Sequence, residues 1–308
     1  MVTNAENDSW ADNLDSLLTT IDAMGFKAAF FTLGSAWGNH LGINEPIVSI
    51  IQQDMQPMEV EIAKTYIDKL AGNNKLQHNF ITDPRIAYWS VANEVFLGTY
   101  IDQSTFVPSS NYDWVIQMCD YIRSKNGKVV VASPVVDTTA IDGWHYNTDF
   151  QWTVPLLSGH VDYVERHFYG LYELANYYYL GNQQYNWTAW KTYMQSQLQN
   201  MIYYRGEFSL NQVILGEFGM WRGTGSDIGL TNWYFSDENI KDYYTAIFQV
   251  IEEVGFLNVG FHCSFAEKKA NGTMANTGSP FGVIDPDGQP YPYAADIIKQ
   301  NFALLKRT

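Results

Sequence analysis

Apolar residues recur along this chain with two periods that take turns. Leu14, Leu17, Leu18, Ile21 and Met24 share one side of a helix over 9–24, which Gly25 ends. The next stretch, "KAAFFTLGS", is apolar without that period and predicts a short buried strand. Val60, Ile62, Ala63, Tyr66, Ile67 and Leu70 return to helical spacing over 57–71, and "RIAYWSVANE" reads as the following strand. The alternation continues with helices over 112–125, 187–204 and 237–254, and strands in "GKVVVASPVV", "HVDYVERHFYG", "NQVILGEFG" and "FLNVGFHCSF". A helix in "PYAADIIKQNFALLK" closes the chain.

Strands that alternate with helices pair in parallel through right-handed crossovers. The predicted strands are short and apolar throughout, as strands covered on both faces are. Neither a linker nor a low-complexity run divides the chain, so a single domain over 1–308 is expected. Long loops rich in glycine and aromatics follow the strand ends, at 34–56, 96–111, 135–159, 170–186 and 264–287. A barrel of the (β/α)8 TIM type distributes function in this way, on the loops after its strands. The expected fold class is therefore α/β, of (β/α)8 TIM-barrel type, incomplete or rearranged, with six barrel strands visible.

Two of the strands end in a glutamate: Glu94 after "WSVAN" and Glu217 in "VILGEFG". A barrel brings both to its C-terminal rim. Two carboxylates flanking a scissile bond are what glycoside hydrolysis requires, one protonated to assist the leaving group and one ionised. The plain alternative is a pair of solvated strand-end acids. His167 and Tyr169 in "ERHFYG" are two apart and so project to one face of their strand. That strand precedes the Glu217 strand, which puts Tyr169 within reach of the Glu217 carboxylate.

Composition narrows the partners. A net charge of −15, from 18 Lys+Arg against 33 Asp+Glu, repels phosphate backbones and anionic lipid, which argues against nucleic acid and membrane surfaces. Many aromatics sit beside Gly, Asn and Ser, as in "SAWGNH", "DGWHYN" and "GMWRGTG". Rings on loops suit a ligand with apolar faces and many hydroxyls, such as a sugar. Cys119 and Cys263 lie in apolar segments and read as buried thiols. His40, His78 and His160 read as structural, and His145 and His262 stay open. No metal-ligating set, no Gly-x-Ser-x-Gly elbow and no signal peptide is visible.

The motifs resemble the clan A retaining glycoside hydrolases, most closely glycoside hydrolase family 5. "DPRIAYWSVANE" resembles that family's strand 4, "HFY" the His-x-Tyr of its strand 6, and "VILGEFG" its strand 7. "GFKAAFFTLGSAWGNHLG" is similar to strand 3 of the family's β-mannanases, and "FGVIDPDGQPYPYA" to a common C-terminal ending. The resemblance implies a retaining hydrolase of β-1,4-linked mannan or glucan that is secreted and needs no cofactor. It makes Glu217 the nucleophile and Glu94 the general acid/base, with carboxyls ~5–5.5 Å apart. Asn93 would bond the sugar 2-hydroxyl, and His167 and Tyr169 would position sugar and nucleophile. Trp37, Trp144 and Trp221 are candidate stacking platforms, with burial in the core as the alternative for each.

The sequence departs from the family at two places. With 27–33 as strand 3, no segment remains for strands 1 and 2, nor for the strand 2 arginine that supports the nucleophile. The strand 8 segment "GFHCSFAEKK" lacks the family's tryptophan. A carbohydrate-binding barrel without catalysis and a fragment stabilised by association are the rival readings. The strands at 27–33 and 257–263 would each present an apolar parallel edge. Direct closure, a plug from "EPIVSIIQQDM" or a second chain would cover them, and a homodimer is the expectation.

Overall fold

The computed structural model describes residues 9–31 except 24 and 26, 60–72, 79–137 except 94, 103, 133 and 134, and 150–220. It also describes 223–225, 230–255, 258–259, 296, 297 and 301. The chain forms two compact units, one of Met1–Arg166 with Tyr204–Gln212 and one of His167–Tyr203 with Val213–Thr308.

The first unit opens with α1 (Ser9–Ala23), β1 (Ala28–Phe31), α2 (Val60–Leu70) and β2 (Ile86–Asn93). It continues through β3 (Phe96–Tyr100), β4 (Phe106–Pro108), α3 (Ser110–Ser124) and β5 (Val129–Ala132). β6 (Val135–Asp137), α4 (Phe150–Leu157) and most of β7 (Val164–His167) complete it. Strands β1, β2 and β5 pair in parallel in chain order, with Ala28 opposite Ile86 and Trp89 opposite Val129. Helices separate these strands in sequence, so the unit is built from the βαβ repeats that the hydrophobic pattern predicts. Val129, Val130 and Val131 are all fully buried, as a strand covered on both faces must be. Ala63, Ile67 and Leu70 form the buried stripe of α2, and Trp114, Val115, Met118, Cys119 and Ile122 that of α3. On α1 the stripe is narrower than its sequence suggests: Leu18 is buried while Leu17 is exposed.

Two stretches predicted as loops carry structure. Residues 96–111 contain the antiparallel pair β3–β4, and β6 joins β3 in parallel to give a small second sheet. The Asp102 carboxylate accepts the Ser104 and Thr105 amides and so turns the hairpin. The segment "GKVVVASPVV" is therefore two strands in different sheets rather than one. α4, at the end of the predicted loop 135–159, buries Phe150, Val154 and Leu157.

The second unit starts at His167, the last residue of β7. It runs through α5 (Leu171–Tyr177), the hairpin β8 (Tyr179–Gly181) and β9 (Gln184–Tyr185), α6 (Trp187–Tyr203) and β10 (Val213–Glu217). The antiparallel pair β11 (Gly223–Gly225) and β12 (Leu230–Phe235), α7 (Asp237–Val254) and β13 (Asn258–Val259) follow. Helix α5 and its hairpin occupy 170–186, another predicted loop. β10 pairs with β13 in parallel, Ile214 opposite Asn258. α6 buries Trp190, Met194, Leu198 and Met201 along one stripe, and α7 buries Ile240, Tyr243, Ile247 and Ile251. Ser236 and Asn239 form a capping box at the start of α7, and Gly255, at φ 74°, ends it. The predicted loops 34–56 and 264–287 lie outside the described residues.

Candidate functional site

The site begins with one apolar strand. Val213, Ile214 and Leu215 anchor β10 in the core, and the chain emerges through Gly216 to Glu217, whose side chain is 16% exposed. The Phe168 amide donates to the Glu217 carbonyl at 2.9 Å, which carries the end of β7 alongside the end of β10. Phe168 turns into the core, near the Tyr193 ring. His167 and Tyr169, on either side of it, therefore both face Glu217.

The two side chains converge on one oxygen. The Tyr169 hydroxyl donates to Glu217 Oε2 at 2.5 Å, and His167 Nδ1 lies 3.3 Å from the same atom. The His167 ring is only 2% exposed, so its position is set by packing. A carboxylate that accepts such hydrogen bonds is favoured in its charged form, and its rotation is fixed.

A further layer lies behind. The Tyr243 hydroxyl of α7 donates to the Tyr169 carbonyl at 2.9 Å and accepts from the Gly219 amide at 3.3 Å. Burial pushes the Tyr243 phenol well up, so it stays protonated and able to donate. Trp190 Nε1 of α6 donates to the Gly170 carbonyl at 2.9 Å, and its ring packs on Tyr243 with centroids 5.1 Å apart. Gly170 sits at φ 63°, and a Cβ there would lie 2.5 Å from the Met194 sulfur, so the turn after Tyr169 requires glycine. The sequence alone does not single out Tyr243 or Trp190. Their helical spacing marks them as buried, but nothing in it marks which strand ends they bond.

Of the other residues predicted for the site, Asn93 ends β2 in the first unit, its Cα paired with Ala132. Glu94, Trp37, Trp144 and Trp221 lie outside the described residues. Cys119 is buried in α3, where desolvation holds its thiol far above the ordinary range. His160 is held by Asp120 at 3.0 Å, a structural partner. Among the described residues no group of His, Cys, Asp and Glu is arranged to hold a metal ion, and no helix is long and apolar enough to cross a membrane.

No protein-family model matches the sequence, and no curated protein sequence matches it. Solved structures do. The endo-β-1,4-mannanase from Thermotoga petrophila superposes with a TM-score of 0.59 at 16% identity, over 96% of this chain and 62% of that one. The hyperthermostable endo-1,4-β-D-mannanase from Thermotoga petrophila RKU-1 gives 0.58 at 18%, over 95% and 80%. The chain has the fold of these mannanases. A β-glucuronidase from Bifidobacterium dentium follows at 0.51 and 16%, over 96% of this chain and 43% of that one. The mannanase fold is the TIM-barrel glycoside hydrolase fold, in agreement with the resemblance to glycoside hydrolase family 5 and with the parallel βαβ order described above. This chain spans about three fifths of the length of the first mannanase.

Proposed function

We propose that this protein is a retaining glycoside hydrolase acting on a β-1,4-linked polysaccharide, mannan or glucan. The observation that carries the reading is the Glu217 carboxylate at the end of β10, with Tyr169 and His167 both set on Oε2. A nucleophilic carboxylate must be ionised and fixed in rotation before the sugar arrives, and the phenol that donates to Oε2 favours both.

In the first step Glu217 attacks the anomeric carbon while Glu94, as general acid, protonates the departing glycosidic oxygen. A glycosyl ester on Glu217 results. In the second step Glu94, now the base, takes a proton from water, the water oxygen attacks the anomeric carbon, and Glu217 is released. Two inversions leave the anomer retained. Glu94 enters this scheme through the sequence resemblance, as does Asn93, assigned to the 2-hydroxyl of the sugar at the cleavage point. Trp37, Trp144 and Trp221 are assigned to stacking on sugar faces.

The test is a panel of soluble β-mannans and β-glucans, with new reducing ends measured for the wild type and for Glu217→Ala. Hydrolysis of at least one β-1,4-glycan that disappears in the variant is expected. Sugar binding without hydrolysis would overturn the reading in favour of a carbohydrate-binding barrel.

A further inference from the structure

The layer behind Glu217 ties together the two strand ends that carry the site. Tyr169 lies two residues beyond the end of β7 and Gly219 two residues beyond the end of β10. One oxygen, the hydroxyl of Tyr243, bonds the backbone of both. A further backbone link at this point is the Phe168 amide on the Glu217 carbonyl. Together they close a loop that runs from the Glu217 carbonyl through Phe168, Tyr169, the Tyr243 hydroxyl, Gly219 and Phe218 back to Glu217. The Tyr169 hydroxyl sits on the Glu217 carboxylate across this loop.

We infer that Tyr243 is a positioning residue that sets the spacing between the Tyr169 hydroxyl and the Glu217 carboxylate by clamping the ends of β7 and β10; its catalytic consequence rests on the proposed role of Glu217. The side chain suits the task. Its ring is fully buried, tilted against Trp190 and edge-on to Tyr244, so its hydroxyl has little freedom to wander. It donates to one strand end and accepts from the other, which a phenol can do with a single atom. The ring anchors on α7, so the helix that follows β12 reports directly on the geometry of two strands. Removing the hydroxyl would leave the buried Gly219 amide and the part-buried Tyr169 carbonyl without this bond, and the strand ends would relax apart to find other partners. The Tyr169 hydroxyl would then move off Oε2. Among the described contacts, His167 and Tyr169 are titratable side chains set against Glu217, so a looser Tyr169 is read in the Glu217 titration.

The variant is Tyr243→Phe, which keeps the ring and deletes the bridging oxygen, compared with Tyr169→Phe, which deletes the bond itself. The carboxyl carbon of Glu217 is titrated by 13C NMR, assigned by its absence in Glu217→Gln. A donor lost from a carboxylate raises its titration midpoint. Both variants should therefore shift the midpoint upward, with Tyr243→Phe giving a sizeable part of the Tyr169→Phe shift. On a β-glycan substrate Tyr243→Phe should lower kcat by about 10-fold with KM nearly unchanged, because misplacement weakens the reacting geometry more than sugar binding. A Glu217 midpoint that stays at the wild-type value in Tyr243→Phe would overturn the inference, even if activity fell. In case Tyr243→Phe does not fold, amide exchange in the wild type provides a second measurement. The Gly219 amide should exchange at least ~100-fold more slowly than in an unfolded chain, and exchange at the unfolded rate would overturn the clamp. Wild type without hydrolysis would retire the glycosidase reading and leave the titration to decide the clamp. Hydrolysis with an unmoved midpoint would retire the clamp alone.

Discussion

Two strand ends in this molecule each hold a carboxylate among several donors, and they hold it for opposite ends. Just before β2, Asp83 is gripped bidentately by Arg85, with Nε 2.9 Å from Oδ1 and Nη2 2.6 Å from Oδ2. The same guanidinium reaches Asp15 Oδ1 at 2.6 Å and the Thr19 hydroxyl at 3.0 Å on α1. Here a full positive charge cancels the carboxylate and pins a helix to the start of a strand. At the far end of β10, Glu217 receives a phenol and an imidazole nitrogen on one oxygen. The phenol hydroxyl donates to this oxygen and holds the carboxylate in one orientation. In a (β/α) barrel, residues at the N-terminal ends of strands serve stability and those at the C-terminal ends carry function, and under the proposed function Asp83 and Glu217 divide in that way.

Substitutions should separate the two ends. The largest effect is expected for Glu217→Ala, which should lower kcat by ~10⁴-fold or more on every substrate, since no other group replaces a covalent nucleophile. Its unfolding midpoint in urea should stay close to that of the wild type. Loss of stability in place of activity would make Glu217 another Asp83. Glu94→Ala should cost ~10²–10⁴-fold on a natural glycan and far less on an aryl glycoside with an activated leaving group, because such a group departs without protonation. Steady-state kinetics on the two substrate types decide this, and equal losses would reassign Glu94. The smallest effect belongs to the other strand end. Arg85→Ala removes the guanidinium from Asp83, 8% exposed, and should destabilise the fold by about 1–2 kcal/mol with kcat unchanged. Urea unfolding and kinetics measured together test it; a fall in kcat at full stability would blur the distinction between the ends.

Much of this was legible in the sequence, because burial writes itself as a pattern. The run Val129–Val131 could be read as a strand covered on both sides, and the stripe of Ile240, Tyr243, Ile247 and Ile251 as one helical face. That His167 and Tyr169 share a face followed from a two-residue period, and the reach of Tyr169 to Glu217 from the order of strands. The elements missed are those whose cues are short or mixed. β3 and β4 are brief and carry Gly98 and Pro108, which read as loop. α4 holds Pro155 within eight residues. The tyrosine run of α5 and β8 fits helix or strand equally. Least legible was the bond from Tyr243 to the Tyr169 carbonyl, 74 positions away in sequence, since a periodic stripe says that a side chain is inside but not which backbone it meets.

The account turns on Glu217 as the group that bonds to sugar, and a trapped intermediate tests this most directly. The protein would be incubated with a 2-deoxy-2-fluoro-β-glycoside bearing an activated leaving group, which slows release of the glycosyl ester. Digestion and mass spectrometry then locate the modified residue. The account predicts one added fluorosugar, carried by Glu217 within "VILGEFG". A fluorosugar carried by Glu94 or by any other carboxylate would contradict it.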